Sequence, residues 1–421
     1  MKILIVRLSS IGDCVLASPV VEALRERYPD AHLTWAVQSK SVAVVRGLPN
    51  LNETLLWDDR HNRIPSLTQA LWRTRRAHYD VTLDLQGLDK AGLFLWASGS
   101  PRRLSGSSAR RISHWKSTEM APEPRETIHA REFYLRRAAQ LDIAPDALQR
   151  FFPRVPITSV HRRFADEFLA HAGFNEEHRI VGLNLGASRA NKRWAPERFA
   201  RLADELLSED TATRVVVFGA ASDAPFLEQF ETELATLEGA RRQMGAGGII
   251  APGDAWRGRV LVAVGRVNLL QLAALSERCA AFVTGDTGPM HIAAAVGAPI
   301  VALFGPTSPQ GAGPVQKPDG APVRVLDGRK ITGLSRAPIE THTVETVLHE
   351  VHELMSVPPQ MRVVETESTT KEANLTLVQP TDFAQNGINA KGGNGNAVNA
   401  HGVNGKRGKL NRPRRATGTG S

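Results

Sequence analysis

Short runs of Val, Ile and Leu alternate with amphipathic stretches through the first 356 residues, and this rhythm points to an α/β design. The runs 2–8 (KILIVRL), 32–37, 53–57, 80–85 (DVTLDL), 180–185 (IVGLNL), 213–218 (TRVVVF), 280–284 and 299–304 (PIVALF) read as strands. They show little apolar–polar alternation, as parallel strands covered on both faces do. Helical patterns lie between them. Ser18-Pro19 opens one, with Val20, Val21 and Leu24 inward. Pro196 opens another, with Phe199, Leu202, Ala203 and Leu206 at helical spacing. A third, 343–355, aligns Val344, Val347, Leu348, Val351 and Leu354 on one stripe. This length suits two doubly wound sheets better than one, and the best seam is FFPRVPITS, 151–159.

Composition removes several classes. The 421 residues hold two cysteines, Cys14 and Cys279, far apart, so neither a disulfide scaffold nor a zinc-type cysteine cluster is expected. No apolar run approaches the ~18 residues of a membrane span. The N-terminus runs straight into ILIVRL, without the apolar region or cleavage site of a signal peptide. A soluble, cytoplasmic protein is the expectation. Of the net charge of +9, five units fall after residue 360, where nine Lys/Arg face four Asp/Glu. Residues 386–405 contain six Asn and six Gly, and the end reads KRGKLNRPRRATGTGS. Such composition cannot bury enough apolar surface to offset chain entropy, so 358–421 is expected to be disordered. Its basic end suits anionic lipid, RNA or simple solubilisation. With the excess charge in a tail rather than on a folded face, no nucleic-acid partner is expected.

Ligands of open α/β sheets bind beyond the carboxyl ends of strands, so the loops there carry the argument. Three stand out. In LSSIGDCVLASP, 8–19, Asp13 sits at a strand–helix junction, where it either caps the helix or faces a crevice. The stretch has neither a G-x-G-x-x-G fingerprint nor a P-loop. In LNLGASRANKRW, 183–194, Gly186 and Ser188 suit a loop that offers backbone N–H groups to an anion. Arg189 and Lys192 add charge, and a helix start follows. In VTGDTGPMHIAAAVGAPIVALFGPTSP, 283–309, a strand ends in GDTG and a small-residue helix begins at once. Asp286, Thr287 and Gly288 form a cradle suited to a diphosphate, with Gly305-Pro306-Thr307 beside it. His291 in the first turn is either a core histidine or a ligand contact.

The last of these segments resembles the signature of glycosyltransferase family 9, the ADP-heptose:lipopolysaccharide heptosyltransferases. MKILIVRLSSIGDCVLASPVVEALRERYPDA resembles that family's N-terminus, DLQGLDKAGLF (84–94) its DLQGL-x-K-S segment, and Lys192-x-Trp194 before PERFARLADEL its donor-phosphate loop. The resemblance implies a GT-B fold: two facing Rossmann-like domains, here 1–158 on the acceptor side and 159–342 on the nucleotide-sugar side. It also implies that the last helix, 343–357, packs back on the first domain and braces the hinge. Asp13 maps to the family's catalytic aspartate. Ser188, Lys192, Asp286, Thr287, Gly288 and His291 map to donor-binding positions, with Asp223 as a ribose contact. Lys90 and His129 are acceptor candidates. Two departures stand out: 329–343 has no Cys, and the Asn/Gly-rich tail lies outside the family pattern.

The implied reaction is inverting transfer of heptose from ADP-heptose to an acidic inner-core lipopolysaccharide sugar, with Asp13 as general base. No D-x-D metal motif is present, so no metal and no cofactor are expected. Arg102, Arg103, Arg110, Arg111 and Lys116 cluster in an expected loop, 99–126. Arg110 and Arg111 there suit an anionic glycolipid acceptor, with peripheral contact to the inner membrane face. Other readings are a same-family enzyme moving another sugar and a non-catalytic sugar-binding protein. His342, His349 and His352 read as a polar helix face, since HEVHE is not H-E-x-x-H.

Overall fold

The computed structural model describes residues 1–61, 63–122, 128–244, 256, 258–318 and 320–357, and the expected disordered tail at 358–421 lies outside them. The first sheet holds β1 (Lys2–Val6), β2 (His32–Gln38), β3 (Glu53–Trp57), β4 (Val81–Asp84), β5 (Arg102–Gly106) and β6 (Glu119–Ala121). The second holds β7 (Arg179–Asn184), β8 (Thr213–Phe218), β9 (Val260–Val262), β10 (Ala281–Gly285), β11 (Ile300–Phe304) and β12 (Val323–Asp327). Their orders are β3-β2-β1-β4-β5-β6 and β12-β11-β10-β7-β8-β9. Neighbours are parallel throughout, with Ile3 opposite both Leu33 and Val81, and Phe282 opposite both Gly182 and Ile300. Counted from its own first strand, each sheet has the same order. Each therefore has one switch point, between β1 and β4 and between β7 and β10, where a crevice opens at the carboxyl edge.

Helices α1 (Ile11–Ala17), α2 (Pro19–Arg27), α3 (Arg63–Ala77), α4 (Asp89–Ser98), α5 (Arg111–Lys116), α6 (Ala130–Ala138) and α7 (Ala147–Arg150) accompany the first sheet. With the second go α8 (Ser159–His171), α9 (Pro196–Glu209), α10 (Ala224–Met244), α11 (Leu269–Ser276), α12 (Gly288–Ala295), α13 (Pro309–Ala312), α14 (Gly328–Thr332) and α15 (Val344–Ser356). The apolar run of each central strand divides between two faces. Leu4 and Val6 pack with Phe94 and Leu95 of α4, while Ile3 and Ile5 join the α1–α2 side. The latter cluster continues through Met290 and Ile292 of α12 into the second sheet, so one apolar core links the two halves.

The eight strands read from the sequence are all present, and four more complete the sheets. Those four, β5, β6, β9 and β12, occupy outer positions. RRLSG and VRVLD carry charge, and EMA and VLV span three residues each, so hydrophobic runs do not mark them. The expected loop at 99–126 is thus, as far as residue 122, the unit β5–α5–β6. Two of its arginines serve that unit. Arg102 pairs with Glu119 at 2.8 Å, and Arg103 donates to the carbonyls of Ser100 and Lys116.

The last helix corrects an expectation. α15 packs on α9, β10 and β11 of the second sheet rather than returning to the first. Val347, Val351 and Leu354 enter the same cluster as Leu202, Leu206 and Val283. The chain leading into it is tied to that half as well, because Trp194 Nε1 donates to the His342 carbonyl at 3.0 Å. His342 is fully buried, its Nε2 on the Phe304 carbonyl at 2.9 Å, so it does not belong to a polar helix face.

Candidate functional site

The loops at the two switch points face each other. β1 ends in Val6 and leads through Arg7 and Ser9-Ser10 into α1, while β10 ends in Gly285 and leads through Asp286-Thr287 into α12. Glycine permits the approach. A Cβ on Gly12 would lie 2.5 Å from His291 Cδ2, and one on Gly288 would lie 3.0 Å from Ile11 Cγ2. Two helix starts, with their unpaired N–H groups, therefore meet across the crevice.

Asp13 lies in the first turn of α1, and its carboxylate is held on both oxygens. Oδ1 accepts from the Tyr134 hydroxyl at 2.7 Å. Oδ2 accepts from the Ser10 hydroxyl at 2.7 Å and the Ser10 N–H at 3.2 Å, and faces Arg7 Nη2 at 2.7 Å. The Arg7 side chain is 10% exposed and that of Asp13 34%, so the cation lies beneath the carboxylate and the carboxylate meets the cleft. Burial works to raise the Asp13 pKa, but Arg7 first, then Tyr134 and Ser10, outweigh it and hold the carboxyl below its ordinary range. Capping and crevice-facing, the two readings of Asp13, are here one arrangement. Arg7 and Tyr134 were not marked by motif. A cation ending an apolar strand was the only signal for Arg7, and Tyr134 is 121 residues from Asp13 in sequence.

On the opposite wall, Lys192 Nζ pairs with Asp286 Oδ2, which also accepts from the Thr307 hydroxyl at 2.7 Å. Thr287, the residue before α12, is buried, and its hydroxyl lies 3.4 Å from Asn184 Nδ2. His291 is buried against Gly12. Its Nδ1 has no hydrogen-bond partner among the described residues. Burial, against the pull of Asp286 and Asp13, pushes its pKa down to about 4, so the ring is neutral at pH 7. Ser188 stands exposed in the loop after β7.

Asp223 is placed differently from a free ribose contact. Its Oδ1 takes Arg193 at 3.2 Å and its Oδ2 takes the Ala220 N–H at 2.9 Å, so both oxygens brace the loops after β7 and β8. Arg193 also donates to the Leu185 carbonyl at 2.7 Å and lies over the Phe226 ring. Among the acceptor candidates, Lys90 joins the Asp13 wall. Its Nζ donates to Ser9 Oγ and Gln38 Oε1, each at 2.7 Å. Burial, followed by Arg7, lowers its pKa, with Asp59 pulling the other way. Arg110 and Arg111 are exposed at the start of α5, and Arg111 lies 3.4 Å from Asp89. His129 is engaged elsewhere. Nδ1 accepts from the Arg131 N–H as the cap of α6, and Nε2 bonds the Gly313 carbonyl at 3.0 Å, a link between the halves. Among the described residues, no group of three or more His, Cys, Asp or Glu side chains is placed to hold a metal ion, and no helix is long and apolar enough to cross a membrane.

Comparison with known proteins agrees with this architecture. The family model described as glycosyltransferase family 9 (heptosyltransferase) matches residues 66–323, more than half of the chain. The lipooligosaccharide heptosyltransferase 2 of Haemophilus influenzae is 25% identical over 369 residues, covering 85% of this chain and all of that protein. The crystal structure of a family 9 glycosyltransferase from Veillonella parvula superposes with a TM-score of 0.69 at 25% identity, covering 84% of this chain and 97% of that one. The ADP-heptose lipopolysaccharide heptosyltransferase II of Escherichia coli gives a TM-score of 0.65 at 23% identity, covering 84% and 98%. The two parallel sheets are thus those of a GT-B enzyme, and the chain belongs to glycosyltransferase family 9, the heptosyltransferase family.

Proposed function

We propose that this enzyme moves a heptose from ADP-heptose to an acidic inner-core sugar of lipopolysaccharide, with inversion at the anomeric carbon. The observation that carries the reading is the meeting of Asp13 with the start of α12 across one crevice, only a Gly12–His291 contact apart. The reading of a heptose donor and a lipopolysaccharide-type acceptor is supported by the likeness to the Haemophilus influenzae lipooligosaccharide heptosyltransferase 2.

In this mechanism Asp13 accepts the proton of the acceptor hydroxyl as that oxygen attacks the anomeric carbon. Tyr134 occupies one lone pair of Oδ1 and leaves the other for the proton. The diphosphate departs on the opposite side, where Lys192 and the N–H groups around Gly288 face its developing charge. Lys90 lies on the acceptor side and suits a carboxylate of the incoming sugar. Neutral His291 packs behind Gly12 and fixes the spacing between the walls. Calorimetric titration of the full chain with ADP, UDP, GDP and CDP tests the donor assignment. A clear ADP preference supports it. A UDP or GDP preference redirects the function to another sugar, and no binding by any of them returns it to the sugar-binding alternative.

Two further results are expected. Gly12→Ala drives its Cβ into the His291 ring and moves the walls apart. Transfer falls by about 10²-fold, the usual effect of a 1 Å misplacement, in a steady-state assay. The second concerns pH. A depressed Asp13 pKa keeps the base ionised, and the enzyme active, until the pH falls through that low value. Removing a favourable partner raises the pKa, so the acid limb of kcat against pH moves upward in Tyr134→Phe. It moves further in Arg7→Ala, since Arg7 is the stronger influence. An unmoved limb in both variants would show that Asp13 does not set it.

A further inference from the structure

We propose that the outer face of α3, α4 and α5 docks on the headgroup region of an anionic bilayer. The chain has seven tryptophans. Trp35, Trp57, Trp194 and Trp256 are buried, whereas Trp72, Trp96 and Trp115 are 58%, 58% and 72% exposed. All three exposed rings lie on this one helical layer, at Trp72 on α3, Trp96 on α4 and Trp115 on α5. The three helices pack side by side. A Cβ on Gly99, just past α4, would meet Arg75 of α3, and one on Gly92 would meet the Ile112–Ser113 backbone of α5. Trp72 precedes Arg75 by one turn and Trp96 precedes Gly99 by one turn, while Trp96 and Trp115 follow Gly92 and Ile112 by about one turn. The three exposed rings therefore sit on adjacent helices of one layer. Exposed Trp costs hydration that a folded protein normally recovers by burial, and three on adjacent helices of one layer form a surface made to be covered.

Charge identifies what covers it. The three helices carry seven Lys/Arg and a single acid, Asp89, which is tied to Arg111 and the Ile112 N–H. Arg75, Arg76 and Lys116 are exposed, and Arg76 lies 4.6 Å from the Trp72 ring centroid. Tryptophan at the level of the headgroups, with basic side chains beside it, is the recognition chemistry of an anionic membrane surface. The same layer begins, at Asp89, Lys90 and Arg111, beside the Asp13 wall of the crevice. A lipid-anchored acceptor held in that bilayer would enter the cleft along a short path. The docking surface itself stands whether or not the transferred sugar is heptose.

The test is co-sedimentation of the full chain with vesicles of phosphatidylethanolamine and phosphatidylglycerol, and with phosphatidylcholine vesicles as the neutral control. The protein is expected to partition to the anionic vesicles, less so as salt rises. Arg75→Glu/Arg76→Glu/Lys116→Glu weakens partition by roughly fivefold per charge lost. Trp72→Ser/Trp96→Ser/Trp115→Ser abolishes quenching of Trp fluorescence by brominated lipid and removes most of the binding. Because the substituted side chains are exposed, circular dichroism and transfer to a water-soluble acceptor stay at wild-type values in both variants. Three results would overturn the proposal: no partition by the wild-type protein, wild-type partition by the Trp variant, or a dimer in light scattering that the Trp variant dissociates. The last would make the face a contact between two copies of the chain.

Discussion

Asp13→Asn is expected to lower kcat for transfer by about 10²–10⁴-fold, the range of a positioned general base, while ADP affinity stays close to wild type. The asparagine keeps the shape of the side chain and can still meet Tyr134 and Ser10, which hold the carboxylate at 2.7 Å each. What it loses is the capacity to take a proton and the negative charge beside Arg7. The wall proposed to hold the nucleotide does not depend on it, because Lys192, Asp286 and Thr307 are bonded to one another. A stopped-flow or coupled assay of ADP release, run beside calorimetry with ADP, separates the two effects. Wild-type transfer by the variant would remove Asp13 from the chemistry.

Lys192→Ala has the opposite signature. A charge-assisted hydrogen bond contributes about 1.5–3 kcal/mol, so ADP affinity should fall by roughly 10–100-fold. Removing Lys192 also frees Asp286, whose side chain is 13% exposed, to repel a diphosphate at the start of α12. The loss should extend to kcat, since the charge on the leaving diphosphate is larger in the transition state than in the bound donor. Lys192→Arg restores part of the affinity if charge is the requirement. Calorimetry and kcat measured on the same preparations check both statements, and an ADP affinity unchanged by Lys192→Ala would remove this lysine from the phosphate site.

The central strands were legible because Leu4, Val6, Val181 and Val283 are covered on both faces and form unbroken apolar runs. The outer strands were not. β5 and β12 include half-covered or exposed positions and place Arg102, Arg103 and Arg324 there, two of which make ion pairs with Glu119 and Glu350. The motif-borne residues lie in segments that local sequence marks: Asp286 follows β10 directly, Asp13 sits in the first turn of α1 after β1, and Lys192 ends the short turn between β7 and α9. Tyr134 reaches Asp13 through packing of α6 against α1, which no local pattern encodes, while Arg7 reaches it from just after β1 through the turn that leads into α1. His129 and Asp223 carry structural bonds as well. Both have the right chemistry for a ligand, and in the folded chain that chemistry also bonds Gly313 and Arg193, a tertiary use the sequence does not mark. The stripe of α15 was correctly apolar, but a stripe does not name its partner, and Val347 and Val351 found the second sheet.

The most direct measurement is of the wild-type full chain with ADP-heptose and an inner-core lipopolysaccharide acceptor that lacks heptose. ADP release is followed continuously, and the new linkage is assigned by NMR. The account predicts ADP appearing in step with one added heptose, in the anomeric configuration opposite to that of the donor. Retained configuration, or an intact ADP-heptose donor while another nucleotide sugar is consumed, would contradict it.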